Sequence, residues 1–350
     1  MKTLTLTFLA LALATPVVTA QLAETESKVE SKAASLVDAR LPEFTPNASQ
    51  LSGSLYAVGS DTMINLITLW GEKFKTYYPE VSVQIEGKGS STAPPALIEG
   101  VSQLGPMSRK MKSKEKDAFV ENFGYEPTLV RTCLDALAVF VNKDNPIAES
   151  GLTLDQVDAI FSKTRKRGFE NDIVKWSQLA VDGDWANAPI SIYGRNSASG
   201  TYGFFKKHAL MKGDYRDTVK EQPGSASVVQ SITADRFAIG YSGIGYLTSG
   251  VKAVPLSVDG EEFFDANLGN VVEGDYPLGR FLNVYINFCP NTEMDDLRGE
   301  FFRFIFSKEG QEIVLKAGYL PITSDVAATE LGNLGLPYVP AKLEDNPPLN

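Results

Sequence analysis

The stretch GRNSASGTYGFFKKH, Gly194–His208, carries the junction between a strand and a helix. The residues before it, ISIY, alternate as a β-strand does, and SGTYGFFKKHALM has helical spacing. Ligands of α/β sheets bind in loops at this kind of junction. Clusters of Ser, Gly and Asn are also typical of ordinary turns, so this composition alone leaves both interpretations open.

The same order of elements recurs along the chain. SLYAVGS and VSVQIEG predict strands, each followed by a polar loop and then by a helical pattern, DTMINLITLWGEKFKTYYP and PPALIEG. Alternating strands and helices predict an α/β chain with largely parallel sheets. From about Leu51 the chain is long enough for two domains.

The amino end, MKTLTLTFLALALATPVVTA, is typical of a secretory signal peptide. Val18-Thr19-Ala20 supplies small residues at the spacing that a signal peptidase accepts, so we expect cleavage near Ala20 and a soluble protein outside the cytoplasm. The charged segment that follows, residues 21–50, is rich in Ala, Ser and Glu, which predicts a spacer or loose helix that buries little.

The charge balance limits the partners. There are 43 Asp and Glu against 33 Lys and Arg, a formal net charge of -10, so neither nucleic acid nor an anionic membrane surface is expected to bind. An anion bound by this chain must be held by local groups. The two cysteines, Cys133 and Cys289, permit one disulfide in an oxidising compartment.

Four polar loops share small hydroxyl residues, glycine and a position before a helix. They are GSDTM (59–63), GKGSST (87–92), MSRK (107–110) and GRNSASGT (194–201). A helix amino terminus has unpaired N–H groups and partial positive charge, so it binds oxyanions readily. Arg195 adds a planar fork that matches two anion oxygens, and Ser199, Gly200 and Thr201 form the helix start. Each loop alone has a structural explanation, as a turn, a helix cap or an ion-paired arginine.

Enzyme interpretations have weaker support. Gly87-Lys88-Gly89 lacks the Ser or Thr of a Walker A motif, and GYSGIG around Ser242 lacks the second glycine of a nucleophile elbow. The only histidine, His208, lies in the helical FFKKHAL, where a structural role is expected. One histidine and two distant cysteines also argue against a transition-metal site.

With these motifs together, the chain resembles the PstS-like periplasmic phosphate-binding proteins of ABC uptake systems. The resemblance runs from about Leu51 to about Thr323, and GRNSASGT is its strongest marker. GSDTM and GKGSST match the first and second anion loops of the family, and MSR matches a third that varies. LDALAVFVNKDNP, LTLDQVDAIFS and AIGYSGIGY are supporting matches.

The resemblance implies a type II periplasmic-binding fold, in which two α/β lobes joined by two hinge strands close on a dehydrated phosphate. It also implies no cofactor, a membrane ABC permease as partner and a monomer. The implied phosphate contacts are Ser60, Thr62, Ser90, Ser91, Arg195, Ser199, Gly200 and Thr201.

The third loop departs from better-known relatives, which place an aspartate there to accept the phosphate's proton. Here the loop has Ser108 and Arg109, both candidate contacts, and Asp61 is the nearest candidate acceptor. Asp61 fits equally well as a simple cap of the helix that follows it. If Asp61 is the acceptor, the site favours phosphate over sulfate, since sulfate has no proton to donate.

The lobes implied by the resemblance are 51–135 with 284–350, and 136–283. VRTCLDALAVFVN and RFLNVYINFC are then the hinge strands, and we expect them to lie antiparallel. Pairing Asn142 with Arg280 places Cys133 opposite Cys289 and predicts a disulfide, with two free thiols as the alternative.

Three functions remain open from the sequence. The first is a receptor that binds inorganic phosphate and delivers it to a permease. A receptor for sulfate or another tetrahedral oxyanion is the second. A secreted phosphatase with a serine nucleophile is the third, although no histidine or metal base is evident for it.

Overall fold

The computed structural model describes residues 36–47 and 50–342. The predicted signal peptide, residues 1–20, lies outside the described residues. The strands are β1 (Ser52–Val58), β2 (Glu80–Glu86), β3 (Gly105–Met107), β4 (Thr128–Asn142), β5 (Leu152–Thr153), β6 (Ser191–Arg195), β7 (Lys220–Gln222), β8 (Ala238–Gly243), β9 (Val251–Ala253), β10 (Leu256–Ser257) and β11 (Gly279–Ile286). The helices are α1 (Ile64–Tyr77), α2 (Ala93–Ile98), α3 (Ser113–Phe123), α4 (Ile147–Ser150), α5 (Leu154–Phe161), α6 (Gly200–His208), α7 (Ser225–Ala234), α8 (Leu268–Glu273), α9 (Asp296–Ile305), α10 (Lys308–Lys316) and α11 (Ser324–Asn333).

A seven-stranded mixed sheet connects most of these elements. Its order is β3-β11-β4-β8-β6-β7, and β9 also pairs with β4. β6 is parallel to β7 and β8, but β4 and β11 run antiparallel to each other and to their other neighbours. The α/β class is confirmed, whereas the prediction of largely parallel sheets is wrong for this sheet.

β4 crosses between two hydrophobic cores. Val130 and Cys133, near its start, pack in a core with Trp70 and Phe301. In its second half Leu137, Val139 and Val141 contribute to a separate core that contains Trp176, while Ala138 and Phe140 pack in a smaller cluster with α7. Two cores joined by the antiparallel strands β4 and β11 give the expected two-lobe architecture. Within the described part of the chain, no helix combines the length and apolar character needed to span a bilayer.

The register of β4 and β11 differs from the prediction. Arg280 pairs with Asp135 instead of Asn142, and Cys133 pairs with Leu282. Cys289 lies beyond the end of β11, where it is exposed, while Cys133 is buried, and both are free thiols. The predicted Cys133–Cys289 disulfide is therefore wrong, because it depended on a register that the sheet does not adopt.

The described part of the predicted spacer packs against the first core. Val37 and Leu41 are buried there, and Phe44 makes edge contacts with the rings of Tyr77 and Phe304. The prediction that this segment buries little is wrong for residues 36–47. The prediction used the average composition of the segment, which did not reveal that Val37, Leu41 and Phe44 pack against the first core.

A charged cluster anchors the same segment. Asp38 Oδ2 accepts hydrogen bonds from the Arg40 guanidinium at 2.7 Å and from the Ser324 amide at 2.9 Å. The Arg40 hydrogen bond, opposed by burial and reinforced by the Ser324 amide, lowers the pKa of Asp38 to about 2. Arg40 also pairs with the exposed Asp325.

We expect Asp38→Asn to lower the free energy of unfolding by about 1 kcal/mol at pH 7, since it removes charge-assisted hydrogen bonds. The folded pKa is depressed, so this stability is present above the unfolded pKa and is lost as the pH falls from about 4 to about 2. Urea unfolding at several pH values measures it. Asp325→Asn is the control and should have a smaller effect; a difference between wild type and Asp38→Asn that persists at pH 2 would contradict the assignment.

Candidate anion-binding site

Five hydroxyl side chains from four loops meet in one buried cluster. They are Ser60, Thr62, Ser90, Ser108 and Thr201, each no more than 1% exposed. Ser108 Oγ lies 3.0 Å from Ser60 Oγ and 3.3 Å from Ser90 Oγ. Thr201 Oγ1 lies 3.0 Å from Thr62 Oγ1. The four loops that the sequence singled out therefore supply hydroxyl groups to the same place.

Backbone hydrogen bonds hold these loops together. The Gly89 amide donates to the Gly59 carbonyl at 2.7 Å, and the Ser60 amide donates to the Pro106 carbonyl at 2.8 Å. The Ser91 amide and hydroxyl both donate to the Ala198 carbonyl, at 3.2 and 2.6 Å. Ser91 thus fastens the second loop to the fourth and lies beside the hydroxyl cluster.

The amino terminus of α6 enters the cluster directly. A Cβ atom at Gly200 would lie 2.2 Å from Ser90 Oγ and 2.6 Å from Ser108 Oγ, so any side chain there would displace the serines or the helix. Ser199 is the N-cap, and its Oγ accepts from the Thr201 and Tyr202 amides at 3.1 and 3.3 Å. Glycine at the first helical position therefore permits the helix end to approach the serines.

Arg195 is almost completely buried beside this cluster. Its guanidinium donates to Asp61 Oδ1, to Ser225 Oγ at 2.7 Å and to the Pro223 carbonyl at 3.1 Å. Its Nε is buried and has no hydrogen-bond partner among the described residues. A buried guanidinium N–H without a partner is costly, so Arg195 has one donor left for a bound anion.

Asp61 is bound through both carboxylate oxygens. Oδ1 accepts from Arg195, and Oδ2 accepts from the Ser225 amide at 2.8 Å, across the space between the first loop and α7. The helix that follows Asp61 receives no side-chain cap from it. The simple capping alternative is therefore wrong, and Asp61 instead orients Arg195.

A second arginine–aspartate pair borders the cluster and was missed in the sequence. Arg280 on β11 donates to Asp135 Oδ2 at 2.9 Å, to the Ser108 carbonyl at 2.8 Å and to Thr201 Oγ1 at 3.0 Å. Asp135 is fully buried on β4 and also accepts from the Ile244 amide. The sequence signal for this pair was one charged residue in each of two apolar strands, Asp135 and Arg280. The predicted register paired Arg280 with Asn142, so the two charges were not expected to meet.

Arg109 is fixed away from the hydroxyl groups. It forms a bidentate pair with Glu115, with both N–O distances 2.7 Å, and donates to the Lys110 carbonyl. Within the described residues no hydrogen bond links it to the cluster. Six of the predicted candidates meet directly: Ser60, Thr62, Ser90, Ser108, Gly200 and Thr201. Asp61 and Arg195 lie beside them, and Ser91 and Ser199 form the loop contacts. Arg109 lies outside the cluster.

The cluster consists of donors balanced by paired charges. Two arginines and two aspartates surround the hydroxyl groups, so the site has local dipoles and little net charge of its own. Tyr246 and Tyr319 donate to the Thr62 carbonyl, and burial raises the pKa of each phenol, which keeps them neutral donors. Among the described residues, no group of His, Cys, Asp and Glu could hold a metal ion.

Comparison with known proteins identifies the family. The PBP superfamily domain matches residues 45–309. Over 307 residues the chain is 52% identical to the phosphate-binding protein PstS of Pseudomonas aeruginosa, covering 87% of this chain and 94% of that relative. This chain belongs to the PstS family of phosphate-binding proteins.

Solved structures of similar proteins agree with the fold. A putative phosphate ABC transporter substrate-binding protein from Clostridium perfringens, with bound phosphate, has a TM-score of 0.65 and 28% identity, covering 77% of this chain and 100% of that one. An ABC-type phosphate transport receptor from Vibrio cholerae has a TM-score of 0.59 and 21% identity, covering 77% and 100%. The PstS-family chain thus has the two-lobe type II periplasmic-binding fold.

Proposed function

We propose that this chain is a periplasmic receptor that binds inorganic phosphate between its two lobes and delivers it to a membrane ABC permease. The observation that carries the proposal is the buried cluster of five hydroxyl groups at the amino terminus of α6, next to the Arg195–Asp61 pair, whose Arg195 Nε has no partner among the described residues. These groups suit a tetrahedral oxyanion. The phosphate-binding relatives support the choice of phosphate.

The proposal includes the arrangement of the chain. Residues 51–135 and 284–350 form one lobe, residues 136–283 form the other, and β4 and β11 are the hinge. Residues 36–47 belong with the first lobe, because Val37 and Leu41 are buried in its core. The receptor works as a monomer after its signal peptide is cleaved near Ala20.

Calorimetry tests the function. Purified protein, stripped of ligand by unfolding and refolding, is titrated with phosphate, arsenate and sulfate. We expect one phosphate per chain, weaker arsenate and no sulfate. Preferential sulfate binding would establish the alternative oxyanion receptor, and absence of binding by all three anions would reject the receptor.

A non-catalytic receptor should not turn over phosphate esters. The only histidine, His208, stacks on Phe204 with ring centroids 4.2 Å apart and is not hydrogen-bonded to any serine of the cluster. Hydrolysis of a chromogenic phosphate ester by the wild type, lost on replacement of Ser90, would instead favour the phosphatase.

Selectivity for phosphate is proposed to depend on Asp61. A carboxylate has about four acceptor sites, and Arg195 and Ser225 occupy two of them, so Asp61 still has capacity to accept a phosphate proton. Sulfate has no proton to donate, so the Asp61 carboxylate would repel it. Low dielectric around the buried site increases this repulsion.

In Asp61→Asn we expect sulfate affinity relative to phosphate to rise by at least about tenfold, about 1.4 kcal/mol. Competition calorimetry with both anions measures the ratio. Asp135→Asn is the matched control, because it removes a buried carboxylate paired with Arg280 at the other side of the cluster. An equal rise in the sulfate-to-phosphate affinity ratio in both variants would show that only the loss of a nearby negative charge matters. No rise in Asp61→Asn would show that another group distinguishes phosphate from sulfate.

A further inference from the structure

A basic groove of about 840 Å³ opens beside the buried hydroxyl cluster. Its floor is the β11 segment Gly279–Phe281 together with Arg131 of β4, and α6 and the loop after β3 form its sides. Eight of its lining residues are Lys or Arg, and none of the described lining residues is Asp or Glu. Such a concentration of one charge is unexpected in a chain with a net charge of -10.

Four lysines of this basic groove have no counter-ion. Lys110, Lys112, Lys207 and Lys212 are exposed, and none forms a salt bridge with another described residue. By contrast Lys206 pairs with Asp214, and Arg109 pairs with Glu115. The unpaired ammonium groups are therefore available to a ligand.

Two arginines of the groove floor are held in place on aromatic rings. The Arg131 guanidinium lies 5.2 Å from the Phe281 ring centroid, and the Arg280 guanidinium lies 5.1 Å from that of Phe204. Stacking fixes their orientation and reduces the entropy lost when an anion binds.

Histidine adds little charge to the groove at neutral pH. Burial, followed by the charges of Lys207, Arg280 and Arg167, lowers the pKa of His208. The net positive charge of the groove therefore comes from its unpaired lysines, which remain charged across the physiological range, since Arg109, Arg131 and Arg280 each pair with a carboxylate.

We propose that the basic groove is a second anion-binding site, which takes short linear condensed phosphates such as tripolyphosphate. Its volume greatly exceeds the space that a five-atom anion needs and lies in the range of sites for extended small ligands. Several tetrahedral groups in a row match several separate cations, whereas long polyanions such as nucleic acid would be repelled by the rest of this acidic surface. The groove adjoins the buried hydroxyl cluster at Ser199 and Arg280, but its unpaired lysines are exposed and lie outside that cluster.

Calorimetry on protein already saturated with orthophosphate tests the groove alone. Titration with inorganic tripolyphosphate should show binding to the wild type. The triple variant Lys110→Gln, Lys207→Gln, Lys212→Gln should bind it at least about tenfold more weakly, since three cation contacts are lost. Orthophosphate affinity of the stripped triple variant should equal that of wild type, which also shows that the variant is folded.

The matched control is Lys75→Gln, Lys175→Gln, Lys316→Gln, which changes net charge equally at exposed lysines outside the groove. It should bind tripolyphosphate as wild type does. Equal weakening in both triple variants, or tripolyphosphate binding no tighter than that of sulfate at matched ionic strength, would overturn the proposal. Failure to bind orthophosphate, with tripolyphosphate binding retained, would reject the proposed function and leave the groove site standing.

Discussion

Arg195→Ala is expected to weaken phosphate binding by at least about a hundredfold, about 2.7 kcal/mol. Two losses contribute. The anion loses a buried guanidinium whose Nε has no protein partner, and Asp61 loses the cation that faces its Oδ1. An unpaired carboxylate next to a bound anion is unfavourable in a site that excludes water. Titration calorimetry of the stripped protein measures the change.

Two further variants separate these contributions. Arg195→Lys keeps the charge but cannot reproduce the donors to Ser225 and Asp61 together, so it should recover only part of the affinity. The double variant Arg195→Ala, Asp61→Asn removes the unpaired carboxylate and should bind phosphate more tightly than Arg195→Ala alone. Arg195→Ala with wild-type affinity would remove Arg195 from the site.

The convergence of the site could be predicted from the sequence because it follows from topology. Each polar loop comes between a strand and a helix, the position at which α/β folds bind ligands, although β1 and β2 form a separate sheet from the one that contains β3 and β6. Ser60, Ser90, Ser108 and Thr201 therefore meet although they are distant in sequence. Arg109 has the same kind of position, but the nearby Glu115 engages its guanidinium, and local sequence did not reveal that competition.

The register of the hinge strands could not be predicted because polar and apolar residues do not alternate along β4. From Ala136 to Asn142 every residue of β4 is buried, so neither face of the strand is marked by polarity. A register shift between Leu282 and Asn283 adds a further irregularity. The prediction paired Arg280 with Asn142 instead of Asp135. It therefore missed the Arg280–Asp135 ion pair and led to the wrong prediction of a disulfide.

Gly200→Ala is expected to weaken phosphate binding by about a hundredfold or more. Its Cβ would lie 2.2 Å from Ser90 Oγ and 2.8 Å from Ser90 Cβ, so the serine must leave its position or α6 must withdraw. Either shift removes hydrogen-bond donors from the anion, and overpacking of this kind costs about 1–3 kcal/mol before that loss is counted. On the proposed lobe boundaries Ser90 and Gly200 belong to different lobes, so opening of the cleft relieves the contact.

The substitution should therefore impair closure without impairing folding. We expect the thermal unfolding midpoint of ligand-free Gly200→Ala to stay near that of wild type, while the phosphate-induced decrease in radius of gyration, measured by small-angle X-ray scattering, is lost. Gly203→Ala on the same helix is the control, since its Cβ would make an ordinary 3.5 Å contact with Arg109 Cδ. It should close and bind as wild type does. If Gly200→Ala also binds and closes normally, the approach of α6 to Ser90 is not part of the phosphate-bound state, and the helix amino terminus does not contact the anion.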